Sequence, residues 1–143
     1  MNIRLAVRTD APALAVLEQR QPRAAGWGEH GFRTELEQPA ARIWCAEDGQ
    51  IIGFVAVRLA AGQCEILNVA VDPQYTKQGI GYALLQRALA DLQACGTEQV
   101  SLEAAQDNTA ANALYAKAGF AMWGQRKDFY GQGKDAWIWG KKF

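Results

Sequence analysis

The sequence predicts an α/β chain whose elements follow the order β-α-α-β-β-β-α-β-α-β-β. Short apolar runs bounded by turn dipeptides mark the strands, a long segment from Ile80 to Leu92 places apolar residues at helical intervals, and strand-like runs resume after it. At 143 residues, half of them apolar and 21% charged, the chain has the size and balance of a single domain, residues 1–143, with one core.

Asn2 to Arg8 alternates, with Ile3, Leu5 and Val7 on one side and Arg4 on the other, which is the period of a half-buried strand. Thr9 or Asp10 caps a helix in which Leu14 and Leu17 repeat at helical spacing to about Gln19, with Pro12 tolerated in the first turn. Pro22, Gly26 and Gly28 break the pattern before a short helix near Glu29 to Glu37, which Pro39 ends. Ile43 to Ala46 and Ile51 to Leu59 flank Asp48-Gly49 and form a hairpin. A third strand, from about Cys64 to Val71, is apolar on nearly every residue at its C-terminal end, as a central strand would be, and Asp72-Pro73 stops it.

Gly79 to Ala94 is the most regular helix, with Ile80, Leu84, Leu85, Ala88, Leu89 and Leu92 opposed to Gln86, Arg87, Asp91 and Gln93. Gly96 closes it, Gln99 to Ala104 is a strand, and Asn108 caps a helix from Thr109 to Lys117 that Gly119 ends. Phe120 to Arg126 and Ala136 to Lys141 are the last strands, joined by a loop containing Gly131 and Gly133. Trp123, Trp137 and Trp139 on these strands are expected to pack.

Composition narrows the function. Fifteen basic and fifteen acidic residues leave no long-range field to draw in DNA or anionic lipid, so neither a nucleic acid nor a membrane is expected as partner. Cys45, Cys64 and Cys95 are odd in number, widely spaced and without a CxxC pair, which points to a reducing compartment and to three small buried hydrophobes. The single histidine, His30, gives a His-rich metal site no ligands and is read as a surface-loop residue; no metal is expected. The longest apolar run, Ile51 to Val57, falls far short of the roughly 20 residues that span a bilayer. MNIRLAVRTD also lacks the apolar stretch of a signal peptide, so a cytoplasmic protein is expected.

The most specific local feature is VAVDPQYTKQGIG, Val69 to Gly81, an apolar strand running into a polar loop whose two glycines open a helix. Glycines let main chain approach a ligand, and free N–H groups at a helix start favour an anion such as phosphate. No Gly-Lys-Ser/Thr follows, which excludes a P-loop, and Leu84 stands where a dinucleotide fingerprint has its third glycine.

This turn, with the element order around it, resembles the GNAT superfamily of acyl-CoA-dependent N-acetyltransferases, whose signature is Q/R-x-x-G-x-G/A. Gly79 and Gly81 fit, while Thr76 stands where that family has Gln or Arg. ILNVAVDPQYTKQGIGYALL, SLEAAQDNTAANALYAKAGF and the tail RKDFYGQGKDAWIW are further similar to the RimI-type branch, the bacterial ribosomal-protein-alanine N-acetyltransferases. The resemblance implies a mixed central sheet of six to seven strands flanked by helices and acetyl-CoA as co-substrate. It also implies, as acceptor, the N-terminal amine of a ribosomal protein. Two alternatives stay open: an enzyme acetylating a small-molecule amine, and a non-catalytic acyl-CoA-binding sensor.

On the resemblance, main-chain amides of Lys77, Gln78, Gly79, Ile80, Gly81 and Tyr82 hold the CoA pyrophosphate, and the segment Val69, Ala70, Val71 meets the thioester and the pantetheine. Glu103 lies on the strand Gln99 to Ala104, facing away from Leu102 and Ala104, where it could take a proton; it is alternatively a solvated strand carboxylate. The resemblance makes it the general base. Tyr115 follows Asn108 by seven residues, about 700° of helix and roughly 10 Å of axis, so the two share a face. The resemblance makes Tyr115 the acid that protonates the CoA sulfur and Asn108 a pantetheine contact, while a core tyrosine and a plain N-cap are the other readings. Arg126 to Lys134, with Phe129 and Tyr130, is the candidate acceptor wall, its aromatics being alternatively core residues, and Trp27 matches a Trp in the family's first inter-helix loop. Ala105 stands where the RimI type has Arg. With no His to pair with either Cys64 or Cys95, direct transfer is expected rather than a cysteine-linked route.

Overall fold

The computed structural model describes residues 1–143, with seven strands and four α-helices. In chain order they are β1 (Asn2–Leu5), α1 (Ala11–Gln19), α2 (Gly28–Leu36), β2 (Ala41–Glu47), β3 (Ile51–Ala60), β4 (Gln63–Val71), α3 (Ile80–Ala94), β5 (Gln99–Ala105), α4 (Thr109–Lys117), β6 (Ala121–Arg126) and β7 (Ala136–Lys142). The succession is the predicted one. All strands join one mixed sheet in the order β1-β2-β3-β4-β5-β7-β6, antiparallel except where β4 meets β5. No helix is long and apolar enough to cross a membrane.

β3 is the strand covered on both faces: Ile51 to Val57 is buried without interruption. On one side Leu14 and Leu17 of α1 and Phe32 of α2 pack on Ile43, Phe54 and Ala56. On the other, Leu84, Leu85, Ala88, Leu89 and Leu92 of α3 pack on Val55, Val57, Val100 and Leu102. Each such side chain contributes about 1.5–3 kcal/mol by leaving water, which makes this half of the sheet the rigid frame.

β4 takes the central place expected of it, fourth of the seven strands, and alternates between buried and more accessible residues while changing the face it buries partway along. The cause is a bulge. Ala56 pairs with Asn68 and Val57 with Ile66, so Leu67 is an extra residue with no partner on β3. Ile66 therefore belongs to the core under α3, whereas Ala70 belongs to the core under α1. Beyond the bulge β4 also leaves β5, to which it is paired only at Gln63↔Gln99, Cys64↔Val100 and Glu65↔Ser101. The remaining halves of the two strands diverge.

Other expectations need correction. β1 ends at Leu5, and both Leu5 and Val7 are exposed; only Ile3 packs against the core, and Arg4 is tethered instead, bonded to Asp10 at 2.8 Å and Glu47 at 3.2 Å. Asp10 does not cap α1 with its side chain but accepts from the Val7 amide at 2.7 Å. His30 sits on the exposed face of α2 rather than in a loop. Cys45 and Cys64 are buried as expected, and Cys95, at the C-terminal cap of α3, is exposed. Burial pushes the Cys45 thiol up to about 11 and the Cys64 thiol up to about 12, so neither is a nucleophile near neutral pH. Trp139 is buried and donates to Asn112 of α4 at 2.9 Å, while Trp123 remains accessible and covers Gly140, where any side chain would fall inside the indole.

Candidate active site

The divergence of β4 from β5 opens a cleft of about 1380 Å³. Its walls are β4 from Ile66 to Val71, β5 from Leu102 to Ala105, the start of α4, the segment Gln21 to Ala25 between α1 and α2, and the loop between β6 and β7. A single small ligand fills roughly 300–1,000 Å³, so this space has room for two reactants.

The β4 wall offers main-chain donors. The Asp72 amide bonds back to Ile52 on β3 at 2.8 Å, so by the alternation of an antiparallel ladder the amides of Val71 and Val69 point to the opposite edge, where β5 has withdrawn. The Val71 carbonyl, on that same edge, accepts from the Gln21 side chain at 2.7 Å. Buried Glu18 fixes the wall beside it: its carboxylate accepts from Asn68 Nδ2 at 2.8 Å and from the amides of Trp27 and Gly28 at 2.8 and 3.0 Å. Asn68 in turn accepts from the Ala25 amide at 3.0 Å. Neither Glu18 nor Asn68 stands out in the sequence, since a carboxylate on an amphipathic helix and an Asn in a strand are ordinary until the bulge at Leu67 turns one toward the other.

At the cleft's far end the chain turns into α3. Lys77 and Gly79 have φ of +64° and +77°, and none of the amides from Thr76 to Tyr82 donates a hydrogen bond within the protein. Seven consecutive free donors beside a helix start form an anion-binding nest. Thr76 reaches the cleft wall; Lys77, Gln78, Gly79, Ile80, Gly81 and Tyr82 continue past it. A Cβ on Gly81 would stand 3.4 Å from Leu114 and 3.6 Å from Val71, so the turn lies close against α4 and β4.

The opposite wall carries the ionisable groups. Glu103 projects from β5 into the cleft and pairs with Arg126 of β6, Nε to Oε1, at 3.0 Å. Tyr115 of α4 is only 6% exposed, packs edge-on against Phe120, and lines the cleft. Burial, and secondarily Tyr130, push its phenol up to about 12, so it stays protonated at any working pH. Asn108 both caps α4, accepting from the Ala111 amide at 3.4 Å, and lines the cleft, so it and Tyr115 do share the face of α4 that borders the cleft. Tyr130 also lines the cleft, its phenol raised by burial and by the nearby Glu103 charge.

Two predicted acceptor residues lie elsewhere. Trp27 packs on Phe32 at 5.3 Å and does not reach the cleft, because Glu18 holds its backbone down onto the α1 side. Phe129 is exposed, with Tyr130 edge-on to it at 5.0 Å and the Arg126 guanidinium 5.4 Å from its ring, outside the cleft wall. Arg23 and Asp107, not singled out in the sequence, pair at 2.9 Å from loops on opposite sides of the cleft.

Comparison with known proteins agrees with this geometry. Residues 11–120 match the model of the acetyltransferase (GNAT) family. The [ribosomal protein bS18]-alanine N-acetyltransferase of Escherichia coli (strain K12) is 32% identical over 122 residues, 85% of this chain and 82% of that protein. The crystal structure of the Escherichia coli ribosomal-protein-S18-alanine N-acetyltransferase superposes with a TM-score of 0.86 at 29% identity, over 99% of this chain and 92% of that one. A Bacillus anthracis acetyltransferase solved with acetyl coenzyme A superposes with a TM-score of 0.71 at 25% identity, over 78% and 68% of the two chains. By its sequence, its sheet and its parted central strands, the chain belongs to the GNAT acetyltransferase family.

Proposed function

We propose that this enzyme transfers the acetyl group of acetyl-CoA directly to the N-terminal amine of a protein, as the bS18-alanine acetyltransferases of similar sequence are named for doing. The observation that carries the reading is that Glu103 and Tyr115, from different elements, both face the gap between β4 and β5. The free amides from Thr76 to Tyr82 suit the coenzyme's pyrophosphate, and those of Val69 and Val71 suit its carbonyl oxygen. Acetyl-CoA supplies an activated thioester. An α-amine is mostly protonated at neutral pH, with an ordinary pKa of about 7.7–8.0, so a proton must leave before nitrogen can attack. Glu103 accepts that proton. As the C–N bond forms and the C–S bond breaks, Tyr115 gives its hydroxyl proton to sulfur and regains one when the new amide sheds its second. No residue forms a covalent link to the acyl group.

The acceptor enters between the Gln21–Ala25 segment and the loop carrying Tyr130 and Lys134, opposite the coenzyme nest. Release of CoA should be fast with a peptide bearing N-terminal Ala and slow across a panel of small amines and free lysine. Turnover of small amines alone would replace the protein acceptor with a metabolite. Tight acetyl-CoA binding without turnover on any amine would make the protein a sensor.

A further inference from the structure

Glu103 faces an arginine, and that arginine comes from the edge of the sheet. Arg126 ends β6 opposite Ala136 of β7, and its Nε reaches across β7 to Glu103 Oε1 at 3.0 Å. The two side chains differ in access, 21% for Glu103 and 57% for Arg126. Phe129 packs against the guanidinium at 5.4 Å and holds it in place. The pair is neutral before any acceptor arrives.

The other groups around Glu103 do not duplicate that positive charge. Tyr130 and Tyr115 are protonated phenols with raised pKa values. Asp135 accepts from the Asp128 amide and from Gln125, and Asp107 is paired with Arg23. Glu65 of β4 pairs across to Ser101, one row of the same face away, and adds negative charge. Lys134 lines the outer part of the cleft beside Asp107 and Asp135. Arg126 is thus the cation in ion-pair contact with Glu103.

We propose that Arg126 is a positioning residue that sets the charge state in which the acceptor amine is held. This deepens the N-acetyltransferase reading and rests on Glu103 being the group that meets the amine. A carboxylate standing alone would trap an ammonium as an ion pair, giving tight binding of the form that cannot attack. With a guanidinium already on Oε1, an arriving ammonium brings a second cation to one anion, so the charged form is disfavoured relative to the neutral amine, whose proton passes by way of the free Oε2 of Glu103 to solvent. Arg126 spends binding of the unreactive form to keep the nitrogen lone pair available.

The test compares the pH dependence of wild type, Arg126→Gln and Arg126→Lys, using acetyl-CoA and a peptide with N-terminal Ala. In Arg126→Gln, KM for the peptide at neutral pH should fall while kcat falls with it, and the acidic limb of the kcat profile should move up by about one pH unit. The acidic limb of kcat/KM, which reports the free amine, should stay in place. Arg126→Lys should bring the kcat limb back towards the wild-type position. A uniform loss of kcat with no movement of its limb, or a raised KM, would overturn the proposal and leave Arg126 as a fold contact. Wild-type enzyme inert on the peptide but active on small amines would instead overturn the protein-acceptor reading, and the same three-way comparison would then be read on the amine that is turned over.

Discussion

The two edges of β4 behave as if they belonged to different proteins. Its edge towards β3 is paired from Gly53↔Val71 to Ala60↔Gln63, interrupted only by the bulge at Leu67. Its edge towards β5 is paired at three positions and then open. Backbone donors left without partners are costly unless water or a ligand satisfies them. The closed edge therefore supplies stability and the open edge supplies a site, and the same nine residues do both. Changes on the closed side should alter stability and leave catalysis intact; changes on the open side should do the reverse.

The largest effect expected on the closed side comes from Phe54→Ala, which empties a fully buried position of β3 in the core under α1 and α2. It should cost about 3–5 kcal/mol in urea unfolding, with KM for acetyl-CoA unchanged wherever the variant is folded. On the open side, Tyr115→Phe should lower kcat by about 100-fold or more, equivalent to about 3 kcal/mol of barrier. Its unfolding free energy should change by less than about 1 kcal/mol, since the hydroxyl has no protein partner to lose. A stability loss larger than the rate loss would merge the two edges and break the distinction.

The same tyrosine sharpens it through pH. Its pKa is about 12 in the folded protein against 10.0 as the ordinary value. The native state thus keeps the proton that the unfolded state gives up first, so the contribution is whole below pH 10 and is lost as pH rises to about 12. At about 1.4 kcal/mol per unit, Tyr115 accounts for about 2–3 kcal/mol of alkaline destabilisation, which Tyr115→Phe should remove from the pH–stability curve. Cys45 and Cys64, raised by burial to about 11 and 12, shift the onset in the same direction and remain in the variant. Gly79→Val probes the turn at the far end of the open side. A left-handed φ of +77° costs a β-branched residue about 1–2 kcal/mol, while the space around its Cβ is empty of protein. Calorimetry should show acetyl-CoA binding weakened beyond detection if that space receives the pyrophosphate; unchanged affinity would remove the nest from the account.

Periodicity reveals elements that bury one face against a helix, which is why α3, α4 and the β2–β3 hairpin lie within two or three residues of their predicted bounds. It fails where tertiary contacts outrank pattern. β1 alternates as a core strand should, yet Arg4 is held by two carboxylates and Leu5 faces solvent. The C-terminal end of β4 reads as core because Val69 and Val71 line a cleft that takes apolar walls as readily as a core does. In the site, the glycine turn was visible because Gly79 sits at positive φ and Gly81 where α3 comes close to α4 and β4, and Glu103 and Tyr115 because the flanking strings resemble a family. The Glu18–Asn68 lock and the Arg126–Glu103 pair were invisible. Each joins residues far apart in sequence, across 50 and 23 positions, through a bulge or an intervening strand that no local pattern encodes.

The open edge of β4 is tested most directly by amide hydrogen exchange with and without acetyl-CoA. Binding should slow exchange at Val69, Val71 and the run Thr76 to Tyr82 together, while Asn68, Ala70 and Asp72, bonded to β3, are slow in both states. Protection confined to the Thr76–Tyr82 turn, or absent from both segments at saturating coenzyme, would contradict the assignment of the β4–β5 gap as the place where acetyl transfer occurs.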